Sequence, residues 1–243
     1  MIQAVIFDID NTLYDYDAAH AVAFQALTEY AQHTLGVDPE TFEALHQRAN
    51  QLLQARTGGD CAAIHNRLLR YQILLEELGK PILHAPVMER LYWNTLIDAA
   101  VPNPGARDCL EHLRQAGLRL GVGTDMTADW QYAKLERLNL LPLLDFVVTS
   151  EEVTQEKPGS RFFQLCREKA GCPASACVFV GDNHSKDVEG AKQAGMRPVW
   201  YRPHSGPDAP LLVDGVLEVR RLDHLSDYLL SLPGANHEKE DVS

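Results

Sequence analysis

Five short apolar runs recur along the chain, each separated from the next by helical text. They are AVIFDID (4–10), LRLGVGTD (118–125), DFVVTS (145–150), ACVFVGD (176–182) and RPVWY (197–201). None alternates apolar with polar residues, as a strand with one wet face does. Continuous apolar text of this length is what strands covered on both faces of a parallel sheet require. The text between them carries helix signals. PGARDCLEHLRQAG (104–117) opens with Pro and closes with Gly, and TADWQYAKLERLNL (127–140) sets Trp130, Ala133, Leu135 and Leu138 behind a threonine cap. GSRFFQLCREKAG (159–171) and KDVEGAKQAG (186–195) end at glycines, and GVLEVRRLDHLSDYLLSL reads as a last short strand and helix. Strand–helix alternation of this kind predicts an α/β protein with an open parallel sheet and right-handed crossovers.

One segment breaks the alternation. From about Asp15 to Asp98 there is only amphipathic helical text, such as AHAVAFQALTEYAQHTLG and HNRLLRYQILLEELG. It is too long for a crossover and too patterned for a loop. The expectation is a helical domain spanning 16–98, inserted into a core made of 1–15 and 99–232. The polar tail ANHEKEDVS, within 233–243, is expected to be disordered.

The bulk numbers narrow the function classes. The chain of 243 residues has 22 Lys+Arg against 34 Asp+Glu, a formal net charge of −12. Tight binding to a nucleic-acid polymer or an anionic membrane needs a basic face, so neither is an expected partner. No run approaches the roughly 18 apolar residues of a membrane span, and the N-terminus enters a strand with no signal-peptide pattern. Five cysteines, at 61, 109, 166, 172 and 177, form no C-x-x-C pair. Reduced thiols and a cytoplasmic location follow as expectations. The sequence leaves the oligomeric state open.

In an open parallel sheet, ligands bind outside the carboxyl ends of the strands, and this chain places its polar residues there. The first run ends in Asp8-Ile9-Asp10, followed by Thr12, and the second in Thr124-Asp125. Glu156-Lys157-Pro158 follows the third, and the fourth ends in Gly181-Asp182-Asn183 with Asp187 beyond. Asp8 and Asp10, two apart on extended backbone, point to one side. Close like charges raise one of the two pKa values; a cation on Asp8 would leave Asp10 as the group that holds a proton. GVGTDM (121–126) imitates a dinucleotide fingerprint but lacks its third glycine and follows the second strand.

The ordered set D-x-D-x-T, T, K-P and G-D-N-x-x-x-D resembles the haloacid dehalogenase-like hydrolases. The helical insert resembles that superfamily's type 1 cap, and Thr149 to Val153 leading into Lys157 is similar to its phosphatase branch. The resemblance implies a Rossmann-like core and magnesium-dependent hydrolysis of a small phosphorylated metabolite. It implies Asp8 as nucleophile and metal ligand, and Asp10 as the acid/base whose backbone carbonyl also binds metal. Asp182 becomes the third ligand, with Asp187 and Asn183 in support, and Thr12 braces the loop. Thr124, Asp125 and Lys157 take the phosphoryl oxygens; His65 and Arg67 are the cap's candidates for substrate contact, with Arg56 and Arg70 nearby. Hard oxygen donors fit Mg²⁺.

The residue types suit the chemistry. Phosphate monoester hydrolysis calls for up to ~10²¹-fold acceleration, roughly 29 kcal/mol. A carboxylate nucleophile divides the reaction into two steps, cations neutralise the transferring group, and a second carboxyl moves protons. Metal-free dehalogenases of the same superfamily lack an acid two residues after the nucleophile, and Asp10 speaks against them. A phosphomutase on the same scaffold and a non-catalytic protein-binding relative stand as alternatives.

Overall fold

The computed structural model describes residues 1–203 and 209–232; the expected disordered tail lies outside the described residues. Among the described residues seven strands form one sheet: β1 (Ala4–Phe7), β2 (Arg119–Thr124), β3 (Phe146–Thr149), β4 (Cys177–Gly181), β5 (Arg197–Tyr201), β6 (Leu211–Val213) and β7 (Val216–Val219). Their order is β3-β2-β1-β4-β5-β7-β6, and every pairing is parallel except β6 with β7. The five apolar runs are all strands, each within a few residues of its expected ends.

β6 is the strand that the sequence reading passes over. Its three residues are exposed, so they lack the apolar burial that marked the others. It is joined to β7 through Asp214 and Gly215, both with positive φ (49° and 78°), the backbone of a tight hairpin turn.

Chain order reverses between β1 and β4. From β1 the chain moves outward through β2 and β3, then returns to lay β4 on β1's other edge. That makes the β1/β4 boundary the switch point, where a crevice opens beyond the strand ends. Registry brings the tips level: Phe7 pairs with both Val122 and Val180, and the Asp8 N–H donates to the Val180 carbonyl at 2.8 Å.

β1 is buried on both faces. Val5 and Phe7 pack on one side with Leu110, Leu113 and Leu225 of α5 (Ala106–Gln115) and α10 (Leu222–Ser231). Ala4 and Ile6 pack on the other with Phe162, Phe163 and Cys166 of α8 (Ser160–Ala170). Further helices of this part of the chain are α6 (Ala128–Arg137), the one-turn α7 (Ser150–Val153) and α9 (Glu189–Gln193).

Between Tyr16 and Ala99 the chain forms helices and no strand. The main ones are α1 (Tyr16–Tyr30), α2 (Pro39–Thr57), α3 (Arg67–Leu78) and α4 (Ala85–Ala99). Their ends are written locally. Asp15, Asp38 and Asn66 accept the N–H groups of Ala18, Thr41 and Leu69, and Gly58 and Gly79 close α2 and α3 in the left-handed conformation. The segments entering and leaving this helical layer run side by side, with Tyr14 bridged to Pro102 and the Asn103 amide donating to the Thr12 carbonyl at 2.9 Å. One apolar cluster continues from the sheet through Leu13 and Tyr14 into Ala23, Leu27 and Phe42.

Gly121 on β2 lies directly beneath the Phe146 ring, which a Cβ would overlap. Gly121→Ala is expected to destabilise the fold by about 1–3 kcal/mol through overpacking. The urea midpoint should fall at an unchanged slope; an unaltered midpoint would mean that the ring moves aside freely.

Candidate active site

At the switch point one buried ammonium holds two carboxylates. Lys157 Nζ lies 2.8 Å from Asp8 Oδ1 and 2.7 Å from Asp187 Oδ1. Asp187 reaches this position from a π-helical turn, His184–Val188, and its Oδ2 accepts the Asn183 N–H at 2.9 Å. Gly181 is required by this packing, since a Cβ there would overlap the Asp187 carboxyl. Asp182 completes the group: one oxygen from each of Asp8, Asp182 and Asp187 lies within 4.8 Å of the others.

The charges do not balance. Three carboxylates meet one lysine, and the protein answers by favouring protonation. Burial pushes Asp182 up to about 6, with the Asp187 charge adding and Lys157 opposing. Asp8 is likewise raised, by burial first, against the pull of Lys157. Lys157 sits well above its ordinary value, because Asp187, Asp8 and Asp125 outweigh its own burial. A cluster of hard oxygens short of positive charge suits a small divalent cation such as Mg²⁺.

The Asp10 side chain faces elsewhere. Its oxygens take Lys134 Nζ at 2.7 and 3.0 Å and the Tyr14 hydroxyl at 2.6 Å, with the Gln131 amide at 3.4 Å. Lys134 is fully buried on α6, its Nζ 5.5–5.7 Å from the centres of the Tyr14, Tyr16 and Trp93 rings. Burial pushes the Asp10 carboxyl up, but the Lys134 charge and the three hydrogen bonds outweigh it, holding the group below its usual value. The protein's own side chains thus raise the Asp8 carboxyl and lower that of Asp10, whereas the expectation that Asp10 holds the proton concerned Asp8 with a cation on it. A lysine 124 residues away, which the pairing argument did not include, is what lowers Asp10.

Comparison with known proteins bears on this geometry. The family model for haloacid dehalogenase-like hydrolases matches residues 2–195. The chain belongs to that family. A curated relative from Halopiger xanaduensis, named ribulose-1,5-bisphosphate 5-phosphatase, is 36% identical over 233 residues, covering 94% of this chain and 97% of the relative. A glyceraldehyde 3-phosphate phosphatase of Methanothermobacter thermautotrophicus is 33% identical over 202 residues, covering 82% and 85%. Among solved structures, the magnesium-bound HAD-hydrolase YfnB of Bacillus subtilis superposes with a TM-score of 0.69 at 25% identity, covering 94% of this chain and 98% of that one.

The remaining expected residues of this haloacid dehalogenase-like hydrolase divide into those at the centre and those that brace it. Thr124 is buried at the tip of β2, its hydroxyl accepting from the Gln131 amide at 2.8 Å. The Asp125 carboxylate is engaged within the protein. Oδ1 accepts the Lys157 N–H at 2.9 Å and Oδ2 pairs with Lys186 at 2.7 Å. Thr12 braces the loop through its backbone, its N–H donating to the Ile9 carbonyl at 3.2 Å, while its buried hydroxyl has no partner. Asn183 caps the π-helical turn, accepting the Lys186 N–H at 3.1 Å.

His65 points to the core's rim and pairs with Glu156 at 2.8 Å, so it belongs to a chain His65–Glu156–Lys186–Asp125 that ends on the Lys157 backbone. Arg67 is buried among Tyr16, Tyr92 and Trp93 and does not reach the carboxylate cluster. Arg56 is exposed on α2, and His184 packs its ring on Trp200. Trp93 is core, stacked on Trp130 at 4.9 Å between ring centres. Sequence reasoning missed Tyr14, Gln131, Lys134 and Lys186. The available signal was the i, i+3 pair of polar residues Gln131 and Lys134 on the face of α6 that also carries Trp130.

Lys134→Met removes the counter-charge of Asp10 from a dry site. Breaking a buried pair from one side costs roughly 3–5 kcal/mol; the 28% side-chain exposure of Asp10 places the expected loss near the lower end. Because Asp10 is lowered in the folded state, its stabilising contribution is complete above the unfolded value of ~3.9 and is lost as pH falls through the folded one. The variant's deficit should be constant from neutral pH to about pH 5 and narrow only in acid. A deficit that persists undiminished in acid would show that Lys134 stabilises through something other than Asp10.

Proposed function

We propose that this hydrolase is a magnesium-dependent phosphatase acting on a small sugar phosphate through a phosphoryl group carried on Asp8. The observation that carries the reading is the Lys157 ammonium shared by Asp8 and Asp187 beside Asp182, at the sheet's switch point. The names of the relatives support a short phosphorylated sugar as substrate. The helical segment 16–98 acts as a cap over this site, with the paired Tyr14–Pro102 segments as its hinge.

Asp8 and Asp182, with the Asp10 backbone carbonyl, are the groups assigned to Mg²⁺. Asp187 has both oxygens engaged and serves by holding Lys157 and the ion's water shell. The ion, when bound, neutralises charge on the transferring phosphoryl group. Thr124 and Lys157 take phosphoryl oxygens, and Asp125 acts through the Lys157 backbone.

In the first step an Asp8 oxygen forms a bond to phosphorus, and the ester P–O bond breaks with its electron pair on the leaving oxygen. Asp10 gives that oxygen a proton. In the second step a water attacks phosphorus, Asp10 takes its proton, and the Asp8 carboxylate departs. Lys134 favours the ionised form of Asp10, which helps the second step and handicaps the first. Leaving-group basicity should therefore be felt strongly in the first step.

Hydrolysis of phosphomonoesters is expected to fall to background in excess chelator and return with Mg²⁺; full activity in chelator would remove the metal from the reaction. Asp8→Asn should abolish turnover with the fold intact. Asp10→Asn separates the steps in single-turnover kinetics. Nitrophenolate leaves without a proton, so its release should stay fast while phosphate release slows; release from an alkyl phosphate should fall about 10²–10⁴-fold. Unchanged kinetics in both steps would contradict the role given to Asp10.

A further inference from the structure

Five cations are buried in the described residues: Arg67, Arg70, Lys134, Lys157 and Arg220. Lys134 is paired with Asp10, Lys157 with Asp8 and Asp187, and Arg220 with Glu218. Arg67 and Arg70, each 6% exposed, pair with no carboxylate among the described residues. Arg67 donates only to the Tyr16 and Tyr92 hydroxyls, at 3.1 and 3.3 Å, and Arg70 only to the Ile64 carbonyl at 3.1 Å. The Nε of each has no partner.

The surroundings hold further buried polar atoms that are unsatisfied. The Tyr71 hydroxyl and His46 Nε2, from α3 and α2, are also buried without partners. Burial and then the two arginines push His46 down to about 3, so it is neutral and adds no third positive charge. Burial first, and then the neighbouring Arg67 charge, push Arg70 down to about 10. A buried charge without a partner is costly, and two side by side are explained by an anion that belongs between them. Arg67 shares an aromatic neighbour with the lysine that holds Asp10. Arg67 Cζ and Lys134 Nζ lie 5.7 and 5.5 Å from the centre of the same Trp93 ring, and Lys134 holds Asp10.

We infer that Arg67 and Arg70, with the Tyr71 hydroxyl, bind a second phosphoryl group at the far end of the substrate, so that the preferred substrate is a short sugar bisphosphate. The inference rests on the phosphatase reading above. Guanidinium groups match the several oxygens of a phosphoryl group in a way a lone ammonium does not. A purely structural role, in which the arginines only pack on the tyrosines, gives no reason for their unused donors.

The test compares kcat/KM for a sugar bisphosphate and for the monophosphate with the same scissile ester. The wild-type protein should prefer the bisphosphate by about 100-fold or more, as two charge-assisted contacts would give. Arg67→Met and Arg70→Met should each reduce that preference about 10- to 100-fold, chiefly through KM, and Arg70→Lys should restore part of it. Equal efficiency of the wild type on both substrates overturns this inference alone. So does an equal loss on both substrates in folded variants, checked by circular dichroism. If neither methionine variant folds, the wild-type ratio decides. Absence of hydrolysis with any phosphomonoester in Mg²⁺ would overturn the phosphatase reading as well.

Discussion

The buried Lys157 ammonium, held between Asp8 and Asp187, is the contact on which the site's arrangement turns. Two carboxylates from distant segments can approach one another in a dry crevice only if a cation stands between them. The surrounding fold supplies that geometry. Parallel registry sets the tips of β1 and β4 level, the Asp8 N–H hydrogen-bonds to Val180, and Gly181 leaves room for the Asp187 carboxyl. Asp125 fixes the lysine's backbone from the tip of β2. The lysine cannot balance three carboxylates alone, and Asp182 and Asp8 are pushed up by burial first, with the neighbouring carboxylates adding.

A second buried lysine divides the labour of the two motif carboxylates. Lys134 keeps Asp10 away from the Asp8 cluster and ionised, and the Tyr14 hydroxyl and Gln131 amide complete its shell. The aromatic rings around Lys134 come from both sides of the molecule: Tyr16 and Trp93 from the helical layer, Tyr14 from the segment that joins it to the sheet. Asp10 is thus linked, through one cation, to the packing of the helices above it. Any shift of that layer relative to the sheet alters the field at Asp10. This gives a physical route by which substrate seated against the helices would change the proton affinity of Asp10, the group proposed as acid/base.

Much of this was legible in the sequence, and the rest failed for stated reasons. The strands declared themselves because burial on both faces leaves uninterrupted Val, Ile and Phe. β6 did not, since it is exposed, although Asp214-Gly215 signalled its turn. The residues at the strand tips were found because an open parallel sheet collects its chemistry there. Asp125 was read as a phosphoryl contact, since its place at the tip of β2 is visible in sequence and its hydrogen bonds to Lys157 and Lys186 are not. Lys134 was missed because periodicity marks a helix's apolar face and reads a lysine as its wet one, and only the spacing of Gln131 and Lys134 beside Trp130 hinted otherwise. The lysine's burial depends on a carboxylate 124 residues earlier in the chain.

The account's central claim is that Asp8 carries the transferred phosphoryl group. The most direct measurement uses the Asp10→Asn enzyme with Mg²⁺ and a phosphomonoester in a single turnover, quenched in acid during the burst of alcohol release. Peptide mass mapping then locates any phosphoryl group on the chain. The account predicts one phosphoryl group per chain, on Asp8. A burst with no phosphoryl group retained, or with one on any other residue, would contradict it.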